Sequence, residues 1–149
     1  MTDFGFVADM KVTNDAVREY TMYGITLPNG ESPTLIGRHG GETNKPYFNE
    51  LLKTAADKAK MIQAGKVNTG MLAENREQDR ALYPQFVLTG WKDVCDAEGE
   101  IVAFTKQGCV DFLGALPDHV FDDVRNFFGN PANFMGTVSA DDAVAQGKS

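Results

Sequence analysis

Pro84-Gln85-Phe86-Val87-Leu88-Thr89-Gly90-Trp91-Lys92-Asp93-Val94-Cys95 governs how the second half of the chain is read. Counted from Val87, the residues Val87, Leu88, Trp91, Val94 and Cys95 fall at i, i+1, i+4, i+7 and i+8, with Phe86 beside them. That spacing is the apolar stripe of an amphipathic helix, and Pro84 suits its start. Gly90 lowers helical propensity, so a strand over residues 86–88 stands as the alternative. The same spacing returns at Val120, Phe121, Val124, Phe127 and Phe128, opened by Pro117 and stopped by Gly129-Asn130-Pro131. Between the two stripes, Asp96-Ala97-Glu98-Gly99 reads as a turn and residues 101–104 as a short strand. Thr105 then caps a helix that runs through Leu113.

Toward the N-terminus, Phe4, Phe6, Ala8, Met10 and Val12 alternate with Gly5, Asp9, Lys11 and Thr13. A period of two predicts a strand or an extended arm. A second extended run over residues 20–27 ends at Pro28-Asn29-Gly30-Glu31, and Asn-Gly is a strong hairpin signal. Thr34-Leu35-Ile36 is the returning strand, with Pro33 marking an edge. Gly37-Arg38-His39-Gly40-Gly41 reads as a loop. Thr43 or Asn44 can cap the next helix, Pro46 fits its first turn, and Phe48, Leu51, Leu52, Ala55, Ala59 and Ile62 recur at helical spacing. After a turn over 65–70, Met71-Leu72 opens a helix that is wholly polar over residues 74–80 and is expected to face solvent or another subunit. The expected fold is α+β: an arm and β-hairpin over residues 1–43, a small bundle of four to five helices over 44–135, and a flexible tail over 136–149.

The chain has 149 residues, enough for one domain, and 42% of them are apolar, which supplies one core and excludes a disordered acidic chain. Its formal net charge of −7 repels phosphate backbones, so nucleic acid is not an expected partner. No apolar run is long enough to span a bilayer, and Met1-Thr2-Asp3-Phe4 does not start a signal peptide, so no membrane partner is expected. Cys95 and Cys109 form neither a CxxC pair nor half of a zinc ribbon, and two thiols point to a reducing compartment.

No motif carries catalysis. A Walker loop needs Gly-Lys followed by Ser or Thr, but here Lys45 stands between Asn44 and Pro46. His39-Gly40-Gly41 has the look of an esterase oxyanion loop without any G-x-S-x-G nucleophile. His39, His119, Cys95 and Cys109 could in principle ligate zinc or pair as nucleophile and base. No two of them share a ligand spacing, so the reading puts both cysteines in the core and both histidines on the surface. Aligning Gly99 with the invariant Gly of a calcium loop puts Val94 and Thr105, neither a carboxylate, at its first and last ligand positions. The expectation is no enzyme, no cofactor and no metal.

Ten Phe and one Trp, concentrated after Phe86, supply a core and some partner-binding surface. The candidates for partner contact are Phe4, Phe6, Trp91, Phe121 and Phe134. The order of a helix with Trp91-Lys92-Asp93-Val94, the acidic Gly turn Asp96-Ala97-Glu98-Gly99, a short strand, Thr105, a helix, then Phe121 and Asn133-Phe134 resembles the C-terminal part of tailed-bacteriophage tail assembly chaperones and related small morphogenesis proteins. The likeness covers residues 84–134 and extends back more weakly to Asn44-Lys45-Pro46-Tyr47. It implies a non-enzymatic late protein that holds tape measure protein in the host cytoplasm during virion assembly. The competing expectation is a virion-resident subunit, head-decorating or head–tail joining, that meets tail tube or capsid subunits or associates with itself through the alternating arm. An enzyme or regulator is the third.

Overall fold

The structure, a computed structural model, describes residues 12, 16–63 and 70–135. The side chains of 57–59, 61–63 and 70–74 lie outside that description, as do Phe4, Phe6 and the tail after residue 135. Strand β1 (Arg18–Thr21) and β2 (Thr34–Gly37) come first, followed by α1 (Lys45–Gln63) and α2 (Gly70–Leu82). A π-helical turn, Tyr83–Val87, leads into β3 (Leu88–Lys92); α3 (Lys106–Ala115), α4 (Asp118–Gly129) and a 3-10 turn, Pro131–Phe134, complete the chain. The architecture is α+β, as expected. Among the described residues no helix is long and apolar enough to cross a membrane.

The sheet is antiparallel in the order β1-β2-β3. Tyr20 stands opposite Leu35, and Leu35 opposite Trp91, so the middle strand carries a fully buried Leu35 between two aromatic neighbours. Thr21 and Thr34 share a hydroxyl hydrogen bond of 2.8 Å across the β1–β2 pair. The Asn29-Gly30 turn forms, with Gly30 at φ +84° and its N–H on Leu27 O, but the paired strands are shorter than the sequence suggested. The sheet joins residues from before and after residue 44 into one core.

The helix expected over residues 86–95 is not there. Helix α2 continues through the Tyr83–Val87 π-turn, where Leu88 N–H reaches back to Tyr83 O, and the chain then extends as β3. Pro84 contributes no N–H to an α-helical ladder, Gly90 is a poor helix former, and Thr89 and Trp91 favour strands. A free edge on β2 beside buried Leu35 outweighs the helical spacing: Thr34, Leu35 and Ile36 pair with Lys92, Trp91 and Gly90, with a bulge at the Ile36/Gly37 step. The strand expected at 101–104 is reduced to one bridge, Cys95 to Ile101.

The last two helices form as read. Thr105 Oγ1 accepts from Gly108 N at 2.9 Å and caps α3. Pro117 starts α4, whose Phe121, Val124 and Phe128 are fully buried while Val120 and Phe127 pack partly buried against them. Tyr83 and Phe134 complete this core, with Tyr83 edge-on to Phe121 at 5.8 Å. Trp91 is a half-buried strand residue rather than part of a helical core. It donates Nε1–H to Val102 O at 2.8 Å and packs on Phe104 and Phe112, pinning the 93–102 turn and α3 to the sheet.

Helix α1 also forms, but its apolar face is poorly covered. Tyr47 is buried and Leu51 half-buried, whereas Leu52 is 52% exposed and Ala55 and Ala56 face solvent. Ala59 and Ile62 of that stripe lie outside the described side chains. Val12, the last member of the expected alternating arm, bridges to Met135.

Candidate functional site

Helix α2 was expected to stay clear of its own domain because residues 74–80 are all polar. Instead Asp79 and Arg80 are buried, at 6% and 9% exposure. The reason is a matching charge pattern on α4. Arg76, Asp79 and Arg80 lie on one face of α2, and Asp118, Asp122 and Arg125 on one face of α4. Arg76 Nε and Nη2 fork onto the two Asp122 oxygens at 3.0 and 2.8 Å. Arg80 Nη2 meets Asp118 at 2.7 Å, and Arg125 Nε meets Asp79 Oδ2 at 2.8 Å. Arg125 Nη1 returns to Asp122 at 3.2 Å. Arg80 also donates to the carbonyls of Leu113 and Leu116 and lies over the Phe121 ring, 4.9 Å from its centroid. A helix with no apolar residue on this stretch therefore docks through pairing that satisfies each buried charge.

From α1, Tyr47 donates its hydroxyl to Asp79 Oδ1 at 2.8 Å. Both Asp79 oxygens are thus occupied, one by Tyr47 and one by Arg125. The Arg76 hydrogen bond, with help from Arg125, holds the Asp122 carboxyl at about 2, below its ordinary 3.8. Burial, and then the Asp79 charge, pushes both the Tyr47 and Tyr83 hydroxyls upward, so both stay protonated.

Two clefts adjoin at Tyr47, Asp79 and Arg125. The larger, about 550 Å³, lies between α4 and the loop before α1 and is also walled by Gly40, Tyr83 and Asn126. The smaller, about 320 Å³, runs between α1 and α2 over Leu51, Ala55, Asn75 and Gln78. Gln78 Nε2, on its wall, donates to Thr54 Oγ1 at 2.7 Å. The first cleft is polar; the second leads onto the open face of α1.

The glycine-rich loop is a packed joint rather than a surface loop. His39, expected on the surface, is buried at 8% exposure. A carbonyl can only accept, so His39 Nε2–H donates to Gly129 O at 3.3 Å and Nδ1 accepts from the Thr43 hydroxyl at 3.2 Å. Its ring lies against Phe134 with centroids 5.2 Å apart. Gly40 N–H donates to Phe128 O at 2.8 Å, and a Cβ at Gly40 would stand 2.9 Å from the Tyr83 hydroxyl.

The other sequence candidates are scattered. Cys109 is buried in α3, where burial pushes its thiol up to about 12, while Cys95 is only half-buried and His119 is exposed. Among the described residues no three His, Cys, Asp or Glu side chains come close enough to hold a metal ion. The 96–99 segment is an Asx turn, with Asp96 Oδ1 accepting from Glu98 N and Glu100 N. Of the aromatic partner candidates, Phe4 and Phe6 lie outside the described residues, Phe121 and Phe134 are fully enclosed in the core, and Trp91 keeps part of its surface open. The sequence reading missed the Arg76/Asp79/Arg80 and Asp118/Asp122/Arg125 sets, whose helical spacing was the available signal.

The family model described as YdaY prophage protein matches residues 43–144, from the last residues before α1 to beyond the 3-10 turn. No curated protein and no solved structure matches the chain.

Proposed function

The chain belongs to the YdaY prophage protein family and is phage-derived; from that premise we propose that it is a non-enzymatic morphogenesis protein, a tail assembly chaperone that binds tape measure protein during tail assembly. The observation that carries the reading is the uncovered face of α1, where Leu52, Ala55 and Ala56 lie exposed beside the groove over Leu51. An apolar stripe along a groove between two helices fits an amphipathic helical partner, which would aggregate if left uncovered before assembly. The clefts favour binding over chemistry. Asp79 and Asp122 are locked to arginines, and the buried Cys109 thiol is held far from its reactive form. On this reading the protein works in the host cytoplasm on other phage structural proteins, not on nucleic acid or membrane.

One observation favours a virion structural subunit instead. Strand β1 ends the sheet, and its outer edge pairs with no strand among the described residues, an arrangement suited to strand exchange with a neighbour or a second copy. Co-expression with tape measure protein separates the two. The chaperone gives a soluble complex that Leu52→Asp disrupts; a Leu52→Asp chain that still holds the partner removes the α1 face from the account.

A further inference from the structure

Tyr83 is 1% exposed, yet its hydroxyl makes no hydrogen bond among the described residues. No fully buried side-chain nitrogen or oxygen of the described residues lacks a partner, so this hydroxyl is bare because it opens on the larger cleft, whose wall it forms. Two further groups on that wall are unspent. Arg125 uses Nε on Asp79 and Nη1 on Asp122, which leaves Nη2, and the exposed Asn126 amide bonds to no described residue. The carboxylates of the cleft, by contrast, already accept from Tyr47, Arg76 and Arg125.

We infer that the cleft walled by Tyr83, Arg125 and Asn126 is a subsite for an uncharged carboxamide of a bound polypeptide, an Asn or Gln side chain or a main-chain amide. Charge selects a neutral group: Asp79 and Asp122 line the cleft with Arg125, and Arg76, outside the lining, pairs with Asp122, so the four charges cancel while an anion would still meet two carboxylates and a cation the Arg125 guanidinium. Hydrogen bonding selects an amide. The Tyr83 hydroxyl and Arg125 Nη2 donate to its oxygen, while the Asn126 amide both gives and accepts a bond. A sugar is the other neutral hydrogen-bonding ligand, but sugar rings need an open aromatic face, and Tyr47 and Tyr83 are 4% and 1% exposed. The site adjoins the groove over Leu51 and Ala55, so a polypeptide lying along α1 would place apolar side chains there and one amide in the cleft. The inference rests on the reading of this protein as a polypeptide-binding assembly factor.

The test is a titration of the full chain with N-acetyl-asparagine methylamide, followed by the NMR signals of the Asn126 side-chain amide and Arg125 Nε–H. N-acetyl-leucine methylamide and methyl glucoside are run beside it. The expected result is a saturable shift with the asparagine probe, weaker with the leucine probe and absent with the glucoside. Tyr83→Phe removes only an unpartnered hydroxyl, so it should keep the melting temperature and weaken the probe by about three- to tenfold. Asn126→Ala, on the exposed surface, should do the same. No saturation, equal affinity in both variants, or preference for the glucoside overturns the subsite. If the asparagine probe fails while tape measure protein still co-purifies, the subsite is wrong and the chaperone reading stands. If the probe binds as described and tape measure does not, the subsite stands and the chaperone reading falls.

Discussion

Arg125 Nε donates to Asp79 Oδ2 at 2.8 Å, tying the C-terminal half of α4 to a polar helix that has little apolar surface with which to dock. Asp79 has 8% of its side chain exposed and Arg125 28%, so the pair is largely removed from water. Its strength lies in completeness, because Tyr47 occupies the other Asp79 oxygen.

Removing one partner should therefore cost far more than replacing the set. Asp79→Ala leaves Arg125 Nε and the Tyr47 hydroxyl without their acceptor, with only Arg125 Nη1 still held by Asp122, and should cost about 3–5 kcal/mol. The triple change Asp79→Leu, Arg125→Met, Tyr47→Phe should recover most of that loss. Denaturant melts of the two chains measure it, and equal stabilities would mean that the pairing contributes nothing specific.

Acid should act in two stages. Burial lowers the His39 pKa below 6.5, against the opposing pull of the Gly129 carbonyl. As pH falls through 6.5 the unfolded chain takes up this proton first, so stability is full above that pH and declines below it. His39→Gln should flatten the melting temperature in this window. Asp122, held at about 2 against 3.8 unfolded, adds stability that is present above 3.8 and is lost as pH falls toward 2. Its partial exposure keeps that second stage small. Asp122→Asn should remove the second stage and leave the first.

Phe121→Ala should cost about 3–5 kcal/mol, because the ring is fully buried between Tyr83 and Arg80. Trp91→Ala should cost less, since Trp91 stays partly open, and should loosen the 93–102 turn first through the lost Val102 hydrogen bond. Hydrogen exchange at Val102 and the two melting curves separate the effects.

Leu52→Asp should leave the isolated domain within about 0.5 kcal/mol of the original, as an exposed position allows. It should nevertheless abolish capture of tape measure protein. A large drop in melting temperature would mean that Leu52 is covered in solution.

Much of the fold can be read from residues whose effects are local. Thr105 marks a helix start by its capping hydroxyl and Pro117 by its fixed φ, and the stripe from Val120 to Phe128 needs only its own helix to declare a buried face. β3 was misread because a five-residue strand is too short to show its period, and its neighbours Val87 and Val94 complete a helical pattern by position alone. What made it a strand was the edge of β2, Thr34–Gly37, far upstream in the chain. The docking of α2 was hidden for the same reason. Arg76, Asp79 and Arg80 look solvated until Asp118, Asp122 and Arg125 are known to lie opposite. His39 looked exposed beside four polar or glycine neighbours, and only Gly129 and Phe134 bury it. The open face of α1 was likewise illegible, since its apolar spacing signals a covered stripe.

The protein composition of purified phage particles, measured against the tape measure and tail-tube subunits, tests the central claim most directly. The account predicts tape measure protein at its usual level and this chain absent. This chain at a fixed stoichiometry with the tail or head subunits would contradict it and make the protein a component of the virion.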